Sequence, residues 1–118
     1  MNKDIIKILS ELGVPMHLKG YNYLIDAIEI CIENPTISIT KELYVDIGAK
    51  YKDIPNRVER AIRHAIDVCW YRVNKEFVNK IFGNTIDIDK GKPSNAQFCK
   101  TIANYLKYDL GGVTNEKI

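Results

Sequence analysis

The stretch PNRVERAIRHAIDVCW, residues 55–70, decides the fold. Wound at about 100° per residue it separates into two faces. Val58, Ala61, Ile62, Ala65, Ile66 and Cys69 form a broad apolar stripe. Arg57, Arg60, Arg63, His64 and Asp67 lie largely opposite, with Glu59 on the flank. Pro55 sits in the first turn, where a missing N–H costs nothing. The spacing predicts an amphipathic helix running from Pro55 to about Val73.

The same helical spacing extends in both directions. Ile5, Ile8, Leu9 and Leu12 predict a first helix, ended by Gly13 and Pro15. Tyr21, Leu24, Ile25, Ile28 and Ile32 predict a second, stopped by Asn34-Pro35. A β-branched loop from Thr36 to Thr40 leads to a third marked by Ile39, Leu43, Tyr44, Ile47 and Tyr51. Beyond residue 73, Asn74 is placed to cap a short helix with Phe77, Val78, Ile81 and Phe82 inward and Gly83 after its end. Residues Thr85 to Lys92 read as a loop. Ser94 and Gln97 form a capping-box signature for a last helix with Phe98, Ile102, Tyr105 and Leu106 inward. Gly111-Gly112 is expected to end it, leaving 111–118 as a frayed tail. The expectation is a single all-α domain of about six helices spanning residues 1–118.

Composition narrows the class. At 118 residues, 46% hydrophobic and 27% charged, the chain can bury a core without disulfides or metal. No apolar run approaches the roughly 18 residues that cross a bilayer. The charged start MNKDIIKILSELG is not a secretory signal. Three widely spaced cysteines (Cys31, Cys69, Cys99) fit core thiols in a reducing cytoplasm. The net charge is only +2, but residues 50–80 hold eight Lys and Arg against four acids. All four arginines (Arg57, Arg60, Arg63, Arg72) fall within one 16-residue stretch. Lysine serves elsewhere; arginine is kept for one place.

That place has the layout of a helix-turn-helix. A shorter helix, a tight Lys52-Asp53-Ile54 connection and a second helix rich in base-matching side chains follow one another. Arginine can bond bidentately to guanine O6 and N7, and a carboxylate such as Glu59 can accept from cytosine N4. Asn56, Arg57, Glu59 and Arg60, nearest the helix start, are the candidate base contacts. Arg63 and His64 lie one turn on, in reach of phosphates or the far edge of a site. A glutamate among arginines is unneeded in a purely electrostatic phosphate binder. The competing reading is a helical protein-interaction module whose basic stripe docks an acidic partner, with Glu59–Arg63 and Arg63–Asp67 merely supporting the helix. Base readout demands both Arg57 and Glu59; docking tolerates Arg→Lys and gains from losing Glu59.

The run Ile39-Thr40-Lys41-Glu42-Leu43-Tyr44, followed by RVERAIRHAI at 57–66, resembles the effector-domain family of stage-zero sporulation regulators. The likeness continues through Gly13-Val14-Pro15, Lys19-Gly20-Tyr21, Ile81-Phe82-Gly83 and Lys92-Pro93, over roughly residues 4 to 108. It implies a response-regulator effector domain in a phosphorelay, with double-stranded DNA as its partner. The implied targets are promoter boxes of the TGTCGAA type, with early sporulation genes activated or repressed. Arg57, Glu59 and Arg60 would face bases; Arg63, His64, Lys41 and Lys92 would meet the backbone or the edge of the site. Copies would pair on tandem boxes. An RNA polymerase sigma subunit would be met around Asn74 to Phe82, through Lys75, Val78 and Asn79. There the chain departs from the family: Tyr71-Arg72-Val73-Asn74-Lys75-Glu76 lacks an expected glycine and is bulkier. The resemblance further implies an excised effector domain, with Met1 an added start and DNA binding that needs no phosphorylation.

Other chemistries find little support. His17 and His64 are the only histidines, and no Cys or His pair has zinc-ligand spacing. Asp87-x-Asp89-x-Gly91 hints at a calcium loop, but its glycine comes early and the distal acid is missing. Cys69 and His64 fall on opposite helix faces, so no Cys–His nucleophile forms. No phosphate-cradling glycine loop or oxyanion donor supports an enzyme, and no cofactor is implied. Tyr21 and Tyr23 are expected in core packing, as is Trp70 at its edge.

Overall fold

The computed structural model describes residues 2–72, 74–83 and 91–112, with side chains as far as 108. Among them every regular element is helical. These are α1 (Asn2–Leu12), α2 (Lys19–Glu33), α3 (Tyr44–Tyr51), α4 (Pro55–Trp70), α5 (Lys75–Phe82) and α6 (Asn95–Asn104). Two π-helical stretches extend them: Ile39–Leu43 runs into α3, and Tyr105–Gly112 continues α6.

Local chemistry sets most boundaries. Gly13, at φ 83°, lets α1 close with the Val14 N–H donating to the Leu9 carbonyl at 3.0 Å. The left-handed residue is glycine and the next, Val14, is buried, which is the usual helix-ending closure. α6 opens on the reciprocal Ser94–Gln97 capping box anticipated from its sequence. Asn74 caps α5, its side chain accepting from the N–H groups of Glu76 and Phe77.

Three boundaries differ from the periodic reading. α4 stops at Trp70, not Val73: the Arg72 N–H donates to the Cys69 carbonyl at 3.1 Å, closing a turn before Asn74 starts α5. Val73 itself lies outside the described residues. The third helix begins with a wide turn because Ser38 and Glu42 cap each other. Ser38 Oγ accepts from the Lys41 N–H (3.1 Å), Glu42 Oε1 accepts from the Ser38 N–H (3.0 Å), and the Leu43 N–H reaches the Ser38 carbonyl (3.0 Å). Gly111 and Gly112 do not end the last helix; the π-helical turns include both. Most of the expected Thr85–Lys92 loop, and residues 113–118 of the expected tail, lie outside the described residues.

The core fills from the predicted stripes. Ile5, Leu9 and Leu12 of α1, Leu24 and Ile28 of α2, Val58, Ile62 and Ile66 of α4, and Phe98 and Ile102 of α6 are all sealed from solvent. Phe82 links α5 to its neighbours, with its ring 5.2 Å from Trp70 edge-on and 5.6 Å from Phe98 in a stack. α2 is the central helix, packing most extensively on α4 and α6.

The α2–α4 contact is unusually close at Gly20. A Cβ there would lie 2.2 Å from the Ala61 carbonyl oxygen and 2.8 Å from the Ala65 Cβ. The obstacle is α4 backbone, which no rotamer change moves aside. Gly20→Ala should therefore force the helices apart and cost about 1–3 kcal/mol, the usual range for overpacking. Urea unfolding of the variant checks this; an unchanged midpoint would mean the helices separate freely.

Candidate nucleic-acid interface

α3 reaches α4 through three residues. Lys52 takes a left-handed conformation (φ 57°, ψ 47°), and the Asp53 N–H donates back to the Gly48 carbonyl at 2.8 Å. A Cβ on Gly48 would lie 2.5 Å from the Asp53 carbonyl oxygen, so glycine is what lets the chain double back this sharply. Ile54 then leads into α4 with Pro55 at its start.

The two faces of α4 separate as the periodicity requires. Val58, Ile62, Ala65, Ile66 and Cys69 are buried; Asn56, Arg57, Arg60, Arg63 and His64 are exposed. The exposed ridge has a groove on each side. Toward α2, Arg57 and Arg60 share a groove of about 420 Å³ with Lys19, Asp53 and Ala61. Toward α6, Asn56, Glu59 and Arg63 line a larger one of about 710 Å³ with Thr40, Tyr44, Lys92 and Asn95. The candidate base contacts are thus divided between two flanks of one helix.

Glu59 is only partly exposed and is engaged from two directions. Its carboxylate accepts from Arg63 Nη1 at 2.8 Å, and its backbone carbonyl accepts from Asn95 Nδ2 at 3.1 Å. Asn95 Nδ2 also donates to the Tyr44 hydroxyl at 3.0 Å, tying the start of α6 to α3 and α4 together. Asp67, which spacing also offers to Arg63, pairs with Lys92. Lys92 is thereby drawn to the α4 surface, although its side chain stays 30% exposed. Lys41 is exposed on the π-helical lead-in. On α5, Lys75 and Asn79 are exposed, but Val78 is 2% exposed. The periodicity that puts Val78 in the core removes its side chain from any partner surface.

Two residues that order the start of α4 escaped the sequence reading. Asp53 looked like a turn residue, yet its side chain is 6% exposed and gathers the cations near it. Its Oδ2 accepts from the Tyr23 hydroxyl at 2.7 Å, and its Oδ1 accepts from the Ile54 N–H at 2.9 Å. Lys19 Nζ and Arg57 Nη1 each stand 3.9 Å from the carboxylate. The i,i+4 spacing of Asp53 and Arg57 was a visible signal; Tyr23, 30 residues earlier, gave none.

The Tyr23 hydrogen bond, helped by the Ile54 N–H and the charges of Lys19 and Arg57, holds the Asp53 carboxyl below its usual range against the opposing effect of burial. Burial, then the Asp53 bond and charge, push Tyr23 up to about 12. Burial likewise raises Cys31 and Cys69 to about 11, and Cys99 rises well above the ordinary thiol value. These thiols are protonated at neutral pH, and Cys69 is sealed while His64 is exposed. Among the described residues no three His, Cys, Asp or Glu side chains cluster as metal donors. No described helix is long and apolar enough to cross a membrane.

A tightly turned helix pair, with its apolar side sealed and an arginine-bearing ridge open between two grooves, has the form of an effector module that engages nucleic acid. Residues 5–106 match the family described as the sporulation initiation factor Spo0A C terminal, and the chain belongs to that family. It is a DNA-binding effector domain of response-regulator type, acting in transcription regulation during sporulation, and this is not an enzyme family.

Because Asp53 has a lowered folded-state pKa, the stability it supplies is present above about pH 4 and is lost as pH falls through the folded value. Tyr23→Phe removes the largest cause of that shift. Its urea midpoint should fall less steeply than wild type's as pH drops below about 4. Parallel acid limbs in the two proteins would show that the hydroxyl does not set the Asp53 carboxyl.

Proposed function

We propose that this chain, in the bacterial cytoplasm, reads TGTCGAA-type promoter boxes by laying α4 in the major groove, and so controls early sporulation genes. The observation that carries the reading is the exposure of Asn56, Arg57 and Arg60 on the first turns of α4. There a recognition helix presents its side chains to base edges. Arg57 and Arg60 supply bidentate donors for guanine, and Asn56 can pair with adenine. Glu59 accepts from cytosine N4 on its free side while Arg63 holds it in place. Arg63, His64, Lys41 and Lys92 meet phosphates or the rim of the site.

Two copies on tandem boxes, and contact with a polymerase sigma subunit through Lys75 and Asn79, complete the proposal. The sigma-facing surface is then polar, since Val78 is turned inward.

Arg57→Ala should weaken the matched box by about 1–3 kcal/mol and relax preference at one base pair. Equal losses on matched and scrambled duplexes would refute readout by Arg57. Arg63→Ala should instead weaken every sequence alike and reduce the salt slope by about one unit. An unchanged slope would take Arg63 off the phosphate-contacting surface.

A further inference from the structure

Asp53 presents a puzzle of sign. It places a carboxylate beside the surface that must approach a polyanion, between Lys19 and the first arginine of α4. A turn residue needed only for backbone geometry could be neutral. The carboxylate is moreover fixed more firmly than a surface acid needs to be. Its backbone is closed onto Gly48, its Oδ1 is held by the Ile54 N–H, and its Oδ2 is held by the hydroxyl of Tyr23, itself 3% exposed. Tyr23 belongs to α2, the helix seated directly on α4 at Gly20. The carboxylate is therefore registered to the same frame as the recognition helix.

Arg57 is the opposite kind of group. Its side chain is 67% exposed, and its guanidinium approaches the Asp53 carboxylate only to 3.9 Å. A long arginine has many rotamers, while bidentate pairing with a base needs one plane and one direction. A fixed negative charge one helical turn behind it narrows the sweep of the guanidinium before DNA arrives. That lowers the ordering cost of the specific contact. The same charge repels phosphates, so it disfavours the non-specific mode in which Arg57 would lie along the backbone.

We infer that Asp53, clamped by Tyr23, is a positioning residue for Arg57 that trades general DNA affinity for discrimination at the base pair Arg57 reads. The inference rests on the reading of Arg57 as a base contact. It predicts opposite movements in two quantities that a merely structural residue would move together.

The test measures binding of the whole chain to a TGTCGAA duplex, to single-base variants of that duplex and to a scrambled duplex. The proteins are wild type, Asp53→Asn, Tyr23→Phe, Arg57→Ala and the Asp53→Asn/Arg57→Ala double variant. Asp53→Asn should bind the scrambled duplex more tightly than wild type, since one negative charge is gone. Its discrimination should fall about threefold or more at the Arg57 base pair and hold elsewhere, within the range of coupled neighbours. Tyr23→Phe keeps the ring and the net charge; it should lose discrimination at the same base pair with scrambled binding unchanged, and it carries the test if Asp53→Asn unfolds. On an Arg57→Ala background, Asp53→Asn should cost no further discrimination. Discrimination kept by both single variants while Arg57→Ala loses it would overturn the inference and leave the reading of Arg57 intact. So would loss spread evenly over all base pairs, or a full second loss in the double variant. Discrimination retained in Arg57→Ala would sink the reading itself, and the inference with it.

Discussion

At Gly20 the backbone of α2 rests on the backbone of α4 with no side chain between them, and the geometry of the exposed α4 surface descends from that contact. The Ala61 carbonyl and Ala65 Cβ occupy the space a side chain would take. Everything that α2 carries is thereby registered against α4. Lys19 comes to the lip of the Arg57–Arg60 groove, and Tyr23 comes to the carboxylate of Asp53. The second constraint, Gly48, turns the chain so sharply that Asp53 lands one helical turn before Arg57. Two glycines without side chains thus decide where the charged side chains stand.

On the other flank a polar bridge does similar work. Asn95 donates to both Tyr44 and the Glu59 carbonyl, so the start of α6 is tied to α3 and α4 at once. The polar side chains of α4 then separate into two kinds. Glu59, Arg63 and Asp67 are committed to partners, the last to Lys92. Asn56 and Arg60 project from the ridge, and Arg57 is held only at the distance of Asp53. A surface that reads bases benefits from such a division, because groups already oriented lose less freedom on binding.

Much of this was legible in the sequence, and the reasons are physical. Periodicity located the buried stripe of α4, the capping box of α6 and the Asn74 cap, because these depend on residues within one or two turns. The end of α4 and the wide opening turn before α3 were missed because single hydrogen bonds, Arg72 to Cys69 and Leu43 to Ser38, decide them. Val78 shows a conflict between two lines of reading: the resemblance put it on a partner surface, while its own spacing put it in the core. Spacing prevailed. The Tyr23–Asp53 and Asn95–Glu59 links join residues 30 and 36 positions apart, and no local pattern announces them.

The central claim is that α4 reads sequence and is more than a basic stripe. Fluorescence anisotropy of the chain with a TGTCGAA duplex and a scrambled duplex, across a salt series, tests it most directly. Phosphate contacts alone weaken both duplexes together as salt rises, whereas base-edge contacts leave a gap that persists. The account predicts a clear preference for the box at near-physiological salt. Weak, equal binding to both duplexes that vanishes with salt would contradict it.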